Sequence, residues 1–542
     1  MLTTHSYRIR MGIIWCLWAI VNLVLSYRYR FWITSDAIGS FDAARSMRML
    51  DFPNALNASW GQGFAFFLMF TPLYNIDSWL SARIILVVLL LVSQYWLYLA
   101  LRYAGIPMIL ATALAFAWAL ACYATGSMTF MTADVVLCLF ASLYLLLAIK
   151  YVHMQPARVS VLAALGVLHA LAGITKTIAF PGLLIFPLAL LLGNVILAAR
   201  RKLPLQLAVK RIAITSLSYA MPLVLLAAAW GFACQAKYGH FTLGEASSYN
   251  IDLFIHNSQQ LRDAGEQARR ELPRWGSYWW SDFGLNVRWE HSRSIDLRVQ
   301  LTLMLGNAVI FLRGSRDFLT GFVLFVIMCV AFLAFFRYRK LSSAIPSQIW
   351  ALALVAGWVM ALYLSVNFQA RYFSFPALFA LPLCGVILTQ LLQGARRWVR
   401  LGVIAGVAGG LFHGVAAIAV AALVLVPGGQ HFEIAQLIRE RARGPVGVVL
   451  EGEQSIRHYG IVAYLANTQA AELTQLGDTA AHFSSGFVPG SVMMAVDPEH
   501  TVPSQVWVDA RSYSLLKSWN YQGGSRQGLA KLALYLPDDI TH

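Results

Sequence analysis

The chain has 542 residues, of which 59% are apolar and only 12% charged, with a formal net charge of +16. Soluble domains carry about 25% charged residues, so the composition excludes a soluble globular protein and points to a membrane domain with soluble parts. The six cysteines, Cys16, Cys122, Cys138, Cys234, Cys329 and Cys384, all lie in apolar runs without Cys-x-x-Cys spacing, which argues against a disulfide framework or a cysteine metal site.

Eleven apolar spans, each near the roughly 20 residues that cross a bilayer, centre on 11–27, 80–100, 107–123, 132–150, 159–175, 180–199, 212–236, 317–336, 347–366, 375–393 and 401–427. The first has a long apolar core and no small-x-small cleavage site after it, so it is expected to anchor the chain. With the N-terminus in the cytoplasm, the inner segments are 1–10, 101–106, 150–158, 200–211, 337–346 and 394–400. They hold sixteen Lys and Arg and no Asp or Glu. All 25 acidic residues fall on the other side or at its membrane edge. This is the positive-inside pattern, and it accounts for the net charge without nucleic acid. Arg28 and Arg30, just after the first span, run against it. The expected topology is that of a multi-pass bacterial inner-membrane protein with external loops 28–79 and 237–316.

In the first external loop, "SDAIGSFDAARSMRML" repeats Ile38, Phe41, Ala44 and Met47 at every third position. That spacing predicts a short amphipathic helix lying on the membrane surface. "SWGQGFAFFLMFTPLY" predicts a second. In the later loop, "LTLMLGNAVIFL" is too short to span and suits an interfacial or re-entrant helix. The aromatic and arginine-rich "RRELPRWGSYWWSDFG" (269–284) suits a membrane interface or a lid over a substrate. Asn57-Ala58-Ser59 is a glycosylation sequon by pattern. After residue 427 the composition changes. "FEIAQLIRERARG" and "SIRHYGIVAYLAN" read as helices; "VGVVLEG", "SVMMAVD", "QVWVDA" and "KLALYL" read as strands. Residues 1–427 are therefore expected to form the transmembrane domain and 428–542 a small external α/β domain.

Ionisable groups at a membrane edge are costly and mark candidate sites. Asp36 and Asp42 come from the first loop, Asp134 from the outer start of span four, Lys176 from the turn between spans five and six, and Arg371 from the turn between spans nine and ten. Four separate connections thus bring acids and bases to one face. That kit suits transfer of a sugar from a lipid phosphate. The leaving phosphate is already a stable anion, so one carboxylate suffices to take a proton from the attacking hydroxyl. Cations hold the phosphate and stabilise its growing charge. A glycosidase would instead use two carboxylates, such as Asp36 and Asp134, and would leave the Lys and Arg without a purpose.

Asp36 also suits a helix cap, and Asp134 with Thr132 suits another. Asp42 lies six positions beyond Asp36, about 240° round a helix, and reads most simply as a solvated charge. Asp134, Asp42, Arg45 and Arg274 complete the set of residues that could shape the site or meet an acceptor; Arg45 and Arg48 equally suit lipid headgroups. Glu290 and His291 match no metal-ligand spacing.

With its first loop "TSDAIGSFDAA", its "MTADVVLCLF", its "GITKTIAFP" and its late "RYFSFPAL", the chain resembles the GT-C superfamily of polyprenyl-phosphate-sugar-dependent glycosyltransferases, especially the aminoarabinose, arabinose and protein-mannose branches. The resemblance covers the layout of spans one to ten, the large loop after span seven and the external C-terminal domain. It implies that Asp36 is the general base and that Lys176 and Arg371 contact the donor phosphate. Many members carry Asp-Glu where this chain has Asp36-Ala37. The expected partners are a polyprenyl-monophosphate sugar and a lipid, glycan or protein acceptor, with no metal cofactor required. The alternatives are an O-antigen ligase or polymerase acting on diphosphate-linked glycans, and a non-catalytic transporter, although a transporter favours charges at the midplane and paired halves.

Overall fold

A computed structural model describes residues 2–29, 35–72, 76–124, 126–128, 131–153, 159–200, 204–250, 252–253, 258–271, 273, 277, 279–287, 297–317, 347–365, 369–394, 404, 409, 415, 429–442, 444–450, 462, 464–466, 468–472, 474–475, 480–482, 489, 491–496, 502–509, 511–522 and 529–538. The first part is helical. Its elements are α1 (Leu2–Arg28), α2 (Ser35–Arg48), α3 (Phe52–Ala55), α4 (Gln62–Leu68), α5 (Ile76–Tyr103), α6 (Met108–Ala124), α7 (Asp134–His153), α8 (Val159–Thr175), α9 (Ala179–Leu183), α10 (Ile185–Arg200), α11 (Leu205–Tyr238), α12 (Glu245–Asn250), α13 (Gln259–Arg270), α14 (Phe283–Asn286) and α15 (Leu297–Asp317). Two further long helices, Ser347–Leu364 and Ser374–Gly394, follow.

Among the described residues, five helices are long and apolar enough to cross a membrane: Trp79–Tyr103, Asp134–Tyr151, Ala179–Ile196, Gln206–Tyr238 and Arg371–Gln390. Shorter apolar helices occupy Gly12–Arg28, Met108–Tyr123, Val159–Thr175 and Ile349–Leu364. These segments coincide with the expected spans except two. The expected span 317–336 lies outside the described residues beyond its first position, as does 401–427 apart from three. The outer helices leave apolar faces uncovered, such as Ile13, Leu17, Ile20 and Val24 on α1, or Leu217, Val224 and Phe232 on α11. Such faces suit a lipid solvent, in which apolar side chains need no cover.

Helix α8 packs along α11. At Gly166 an added Cβ would stand 2.2 Å from the Tyr219 carbonyl oxygen, so only glycine allows this approach, as is common between membrane helices. The buried His169 ties the same pair to the start of α9. One ring nitrogen meets the Tyr219 hydroxyl at 2.7 Å, and the other lies 2.8 Å from the Phe180 carbonyl. The Tyr219 hydroxyl in turn lies 3.0 Å from that of Tyr144 on α7. The break between α8 and α9, which carries Lys176, is therefore held from both sides.

Helix α2 forms where its spacing predicts, but it does not lie flat on a surface. Ile38, Phe41 and Ala44 are fully buried, and so are Ala37, Ser40 and Asp42 on its other faces. It is enclosed by α3, α4 and the 3-10 turn Trp279–Asp282 of the second external loop. Asp42 is accordingly not a solvated charge. It accepts from the Ser277 amide at 2.9 Å and from the Ser277 and Ser281 hydroxyls at 2.7 Å each, with Arg45 at 3.4 Å. A distant segment supplies these partners, so local periodicity could not reveal the burial. The sequon is likewise buried: Asn57 is fully enclosed and donates to the carbonyls of Gly39 and Ser281. "LTLMLGNAVIFL" sits within the 21-residue α15, because its flanks continue the helix.

After helix Gly429–Arg441, the last part forms one mixed eight-stranded sheet, ordered β2-β1-β5-β8-β7-β6-β4-β3. The strands are β1 (Val446–Leu450), β2 (Ala470–Glu472), β3 (Thr474–Gln475), β4 (Ala480–His482), β5 (Ser491–Val496), β6 (Gln505–Val508), β7 (Arg511–Gln522) and β8 (Leu529–Pro537). The central β5 pairs parallel with β1 and antiparallel with β8. Alternate residues face opposite ways. Val492 and Met494 pack with Val506, Tyr513 and Tyr535, whereas Met493 turns into the large core shared with the helices. Aromatic contacts join the two parts: Phe41 meets Tyr464 at 5.6 Å between ring centroids, and Trp79 meets Phe432 at 4.6 Å.

Candidate active site

Asp36, Asp134, Lys176 and Arg371, distant in sequence, line one cavity of about 150 Å³. Each sits at the end of a helix or in a turn beside one. Asp36 is in the first turn of α2 and Asp134 in the first turn of α7. Lys176 directly follows α8, its amide donating to the Ala172 carbonyl at 2.9 Å. Arg371 lies in the 3-10 turn Ala370–Phe373 that leads into helix Ser374–Gly394. The Arg371 carbonyl accepts from the hydroxyls of Ser127 and Ser374, each at 2.9 Å. These bonds hold the turn against the loop that precedes α7.

The four charges form a chain of alternating sign. Lys176 donates to and pairs with Asp134. Arg371 Nε stands 3.7 Å from the other Asp134 oxygen, and Arg371 Nη2 donates to Asp36 at 3.0 Å. Thr132 caps the arrangement, its hydroxyl donating to Asp134 at 2.7 Å. Asp134 is buried, with 3% of its side chain exposed, whereas Asp36 retains 24% and Lys176 24%. Asp134 thus serves as the inner counterion, and Asp36 and Lys176 meet the cavity.

Two tyrosines that sequence reasoning did not single out complete this wall. The rings of Tyr363 and Tyr372 stack at 4.5 Å with 14° between planes. Lys176 Nζ sits 4.0 Å from the Tyr372 centroid, and the Arg371 guanidinium carbon 5.5 Å. A ring face attracts a cation, so Tyr372 helps hold both basic groups. Its signal was its place next to Arg371 in "RYFSFP". The opposite wall is uncharged and polar, with Ser40, Ser59, Trp60, Thr177 and Asn250.

Of the other expected site residues, Asp42 and Arg45 pair with each other behind α2 and do not line the cavity. Arg274, Glu290 and His291 lie outside the described residues. Among the described residues no group of three His, Cys, Asp or Glu is placed to hold a metal.

A second ionic cluster supports the cavity from outside. Asp282 is fully buried. It pairs with Lys237 at 2.7 Å and accepts from Tyr238 at 2.8 Å and from Ser59 at 2.8 Å. It thereby joins the second external loop to the end of α11 and to the first loop. Gly39 permits the close contact, since a Cβ there would lie 2.4 Å from both the Ser281 oxygen and the Trp60 ring.

No protein-family model matches the sequence, and no curated protein matches it. Among solved structures the chain is similar to ArnT from Cupriavidus metallidurans bound to undecaprenyl phosphate, with a TM-score of 0.50, 14% identity, and 96% of this chain and 98% of that chain covered. It is also similar to the apo oligosaccharyltransferase of Archaeoglobus fulgidus, with a TM-score of 0.48, 12% identity, and 85% and 65% covered. At such identity the likeness to ArnT concerns the fold: a helical membrane part with a small sheet-containing part at the C-terminus.

Proposed function

We propose that this chain, which has the GT-C fold, transfers a sugar from a polyprenyl-monophosphate donor to an acceptor hydroxyl, inverting the anomeric centre. The observation that carries this reading is the cavity itself. It brings a partly exposed carboxylate, Asp36, to two cations, Lys176 and Arg371, from three separate connections. The undecaprenyl phosphate bound by the structurally similar ArnT supports a monophosphate carrier.

In this scheme Lys176 and Arg371 hold the donor phosphate, Arg371 through its planar fork. The acceptor oxygen attacks the anomeric carbon as the bond to the phosphate oxygen breaks. The electron pair leaves on the phosphate, where the two cations stabilise it. The hydroxyl proton passes to Asp36. Asp134 keeps both cations facing the cavity, and the uncharged wall around Trp60 and Asn250 receives the sugar. Positive charge comes from the side chains, so the scheme calls for no divalent cation. The inward bias of basic residues supports a cavity and C-terminal part facing the periplasm of a bacterial inner membrane, within a transmembrane domain 1–427 and an external domain 428–542.

The test is release of polyprenyl phosphate from polyprenyl-monophosphate sugars by the purified protein. Turnover is expected with at least one sugar and should fall by about 10³-fold or more in Asp36→Asn, in the range for loss of a catalytic base. Unchanged turnover in Asp36→Asn would remove the base assignment. Turnover only with diphosphate-linked glycans would favour the ligase reading.

A further inference from the structure

Resting on the reading above, we propose that Arg371 is shared between Asp36 and the donor phosphate, so that arrival of the donor releases the base. In the site as it stands, Arg371 Nη2 donates to Asp36 at 3.0 Å. The guanidinium is largely enclosed, with 9% of its side chain exposed, and its backbone is anchored by Ser127 and Ser374. Its side chain is therefore confined to a small arc between Asp36, Asp134 and the cavity.

A carboxylate bonded to a guanidinium is a poor proton acceptor, because the opposite charge favours its ionised form. Asp36 in this pair is positioned but masked. A phosphate brings up to two negative charges and several acceptor oxygens, and it matches the guanidinium fork better than one monodentate carboxylate oxygen. When phosphate occupies the cavity, Arg371 turns its Nη2 from Asp36 to the phosphate. Asp36 then loses its strongest neighbouring cation, gains basicity and faces the acceptor hydroxyl. Asp134 stays with Lys176 and keeps the cation side assembled during the exchange. Activation of the base thus follows donor binding, and the productive order is donor first, acceptor second.

The two ligands of Arg371 compete, so removing the charge of Asp36 should strengthen donor binding while abolishing turnover. The experiment measures binding of undecaprenyl phosphate to the purified full chain, with undecaprenol as the phosphate-free control. Asp36→Asn is expected to bind undecaprenyl phosphate about five-fold tighter than wild type, the equivalent of releasing one partly exposed ion pair. Undecaprenol binding should not change. Asp36→Ala serves as a second variant with the same expectation.

Plain relief of charge repulsion would also raise affinity, and a cycle with Arg371→Lys separates the two. The lysine keeps the charge but lacks the fork, so the gain from Asp36→Asn should vanish in the Arg371→Lys background. A gain that persists there, or equal or weaker binding in Asp36→Asn, would overturn the proposal and leave the glycosyltransferase reading standing. Wild-type protein that fails to distinguish undecaprenyl phosphate from undecaprenol would overturn both.

Discussion

Lys176 shows how one residue is placed by several independent contacts. Its backbone ends α8, its ammonium pairs with Asp134, and its charge rests on the Tyr372 ring. Each contact leaves the ammonium at the cavity wall, with about a quarter of the side chain exposed. Lys176→Met keeps the length of the side chain and removes its charge. We expect kcat/KM for the donor to fall about 100-fold, the scale of losing one preorganised charge-stabilising group. Lys176→Arg should retain most of the activity. Steady-state kinetics on purified variants checks both. The need for a charge at 176 was legible in "GITKTIAFP", because a lysine between two threonines interrupts an apolar stretch. The ring beneath it was not legible, because Tyr372 becomes its neighbour only when two distant turns meet.

At the scale of elements, the two external loops work as one cover. Asp42 is held by Ser277 and Ser281, and Asp282 by Lys237, Tyr238 and Ser59. Breaking a buried pair by removing one partner strands the other charge and costs about 3–5 kcal/mol. Asp282→Ala should therefore loosen residues 277–286 from α2 before the membrane helices respond. Hydrogen exchange by mass spectrometry would show faster exchange in peptides covering 277–286 and 39–62, with α5 and α7 unchanged. Uniform acceleration across the chain would indicate global destabilisation instead. Combining it with Lys237→Met should restore part of the protection, since no unpaired charge remains. The helices themselves were foreseen from periodicity and length. The burial of α2 was not, because half of its cover comes from more than 200 residues further along the chain.

For the whole molecule, helical and sheet parts share one core, and their electrostatics differ. In the sheet part the acid groups are external and hydrogen-bonded. The hydroxyls of Ser512 and Ser514, with the Gln505 amide, hold the Asp538 carboxyl below its usual range. Bonds from Lys517 and Trp519 do the same for Glu433. A carboxyl whose folded pKa is depressed adds stability that is present above its unfolded pKa, near 4, and lost as pH falls through the folded value. Acidifying the full chain from about pH 5 to about pH 3 should therefore raise hydrogen exchange in β7 and β8 relative to α5 and α7. Asp538→Asn should flatten that dependence at β7 and β8 and leave the membrane helices unchanged. An identical pH profile in the variant would show that Asp538 carries no such linkage.

The division between sequence and structure follows from the range of the forces involved. Apolar length, helical spacing and the one-sided placement of basic residues act within a segment, and they sufficed to foresee the membrane helices, the terminal sheet and the GT-C resemblance that the fold bears out. They also picked out Asp36, Asp134, Lys176 and Arg371, because a charge at the edge of an apolar run has to be compensated wherever it goes. How it is compensated is a tertiary matter. Asp134 rather than Asp36 became the buried counterion, and Asp42 turned from an apparent surface charge into a loop anchor. Arg371 came to rest between two carboxylates. Those outcomes depend on angstrom-scale approach between distant turns, which no spacing within the sequence encodes.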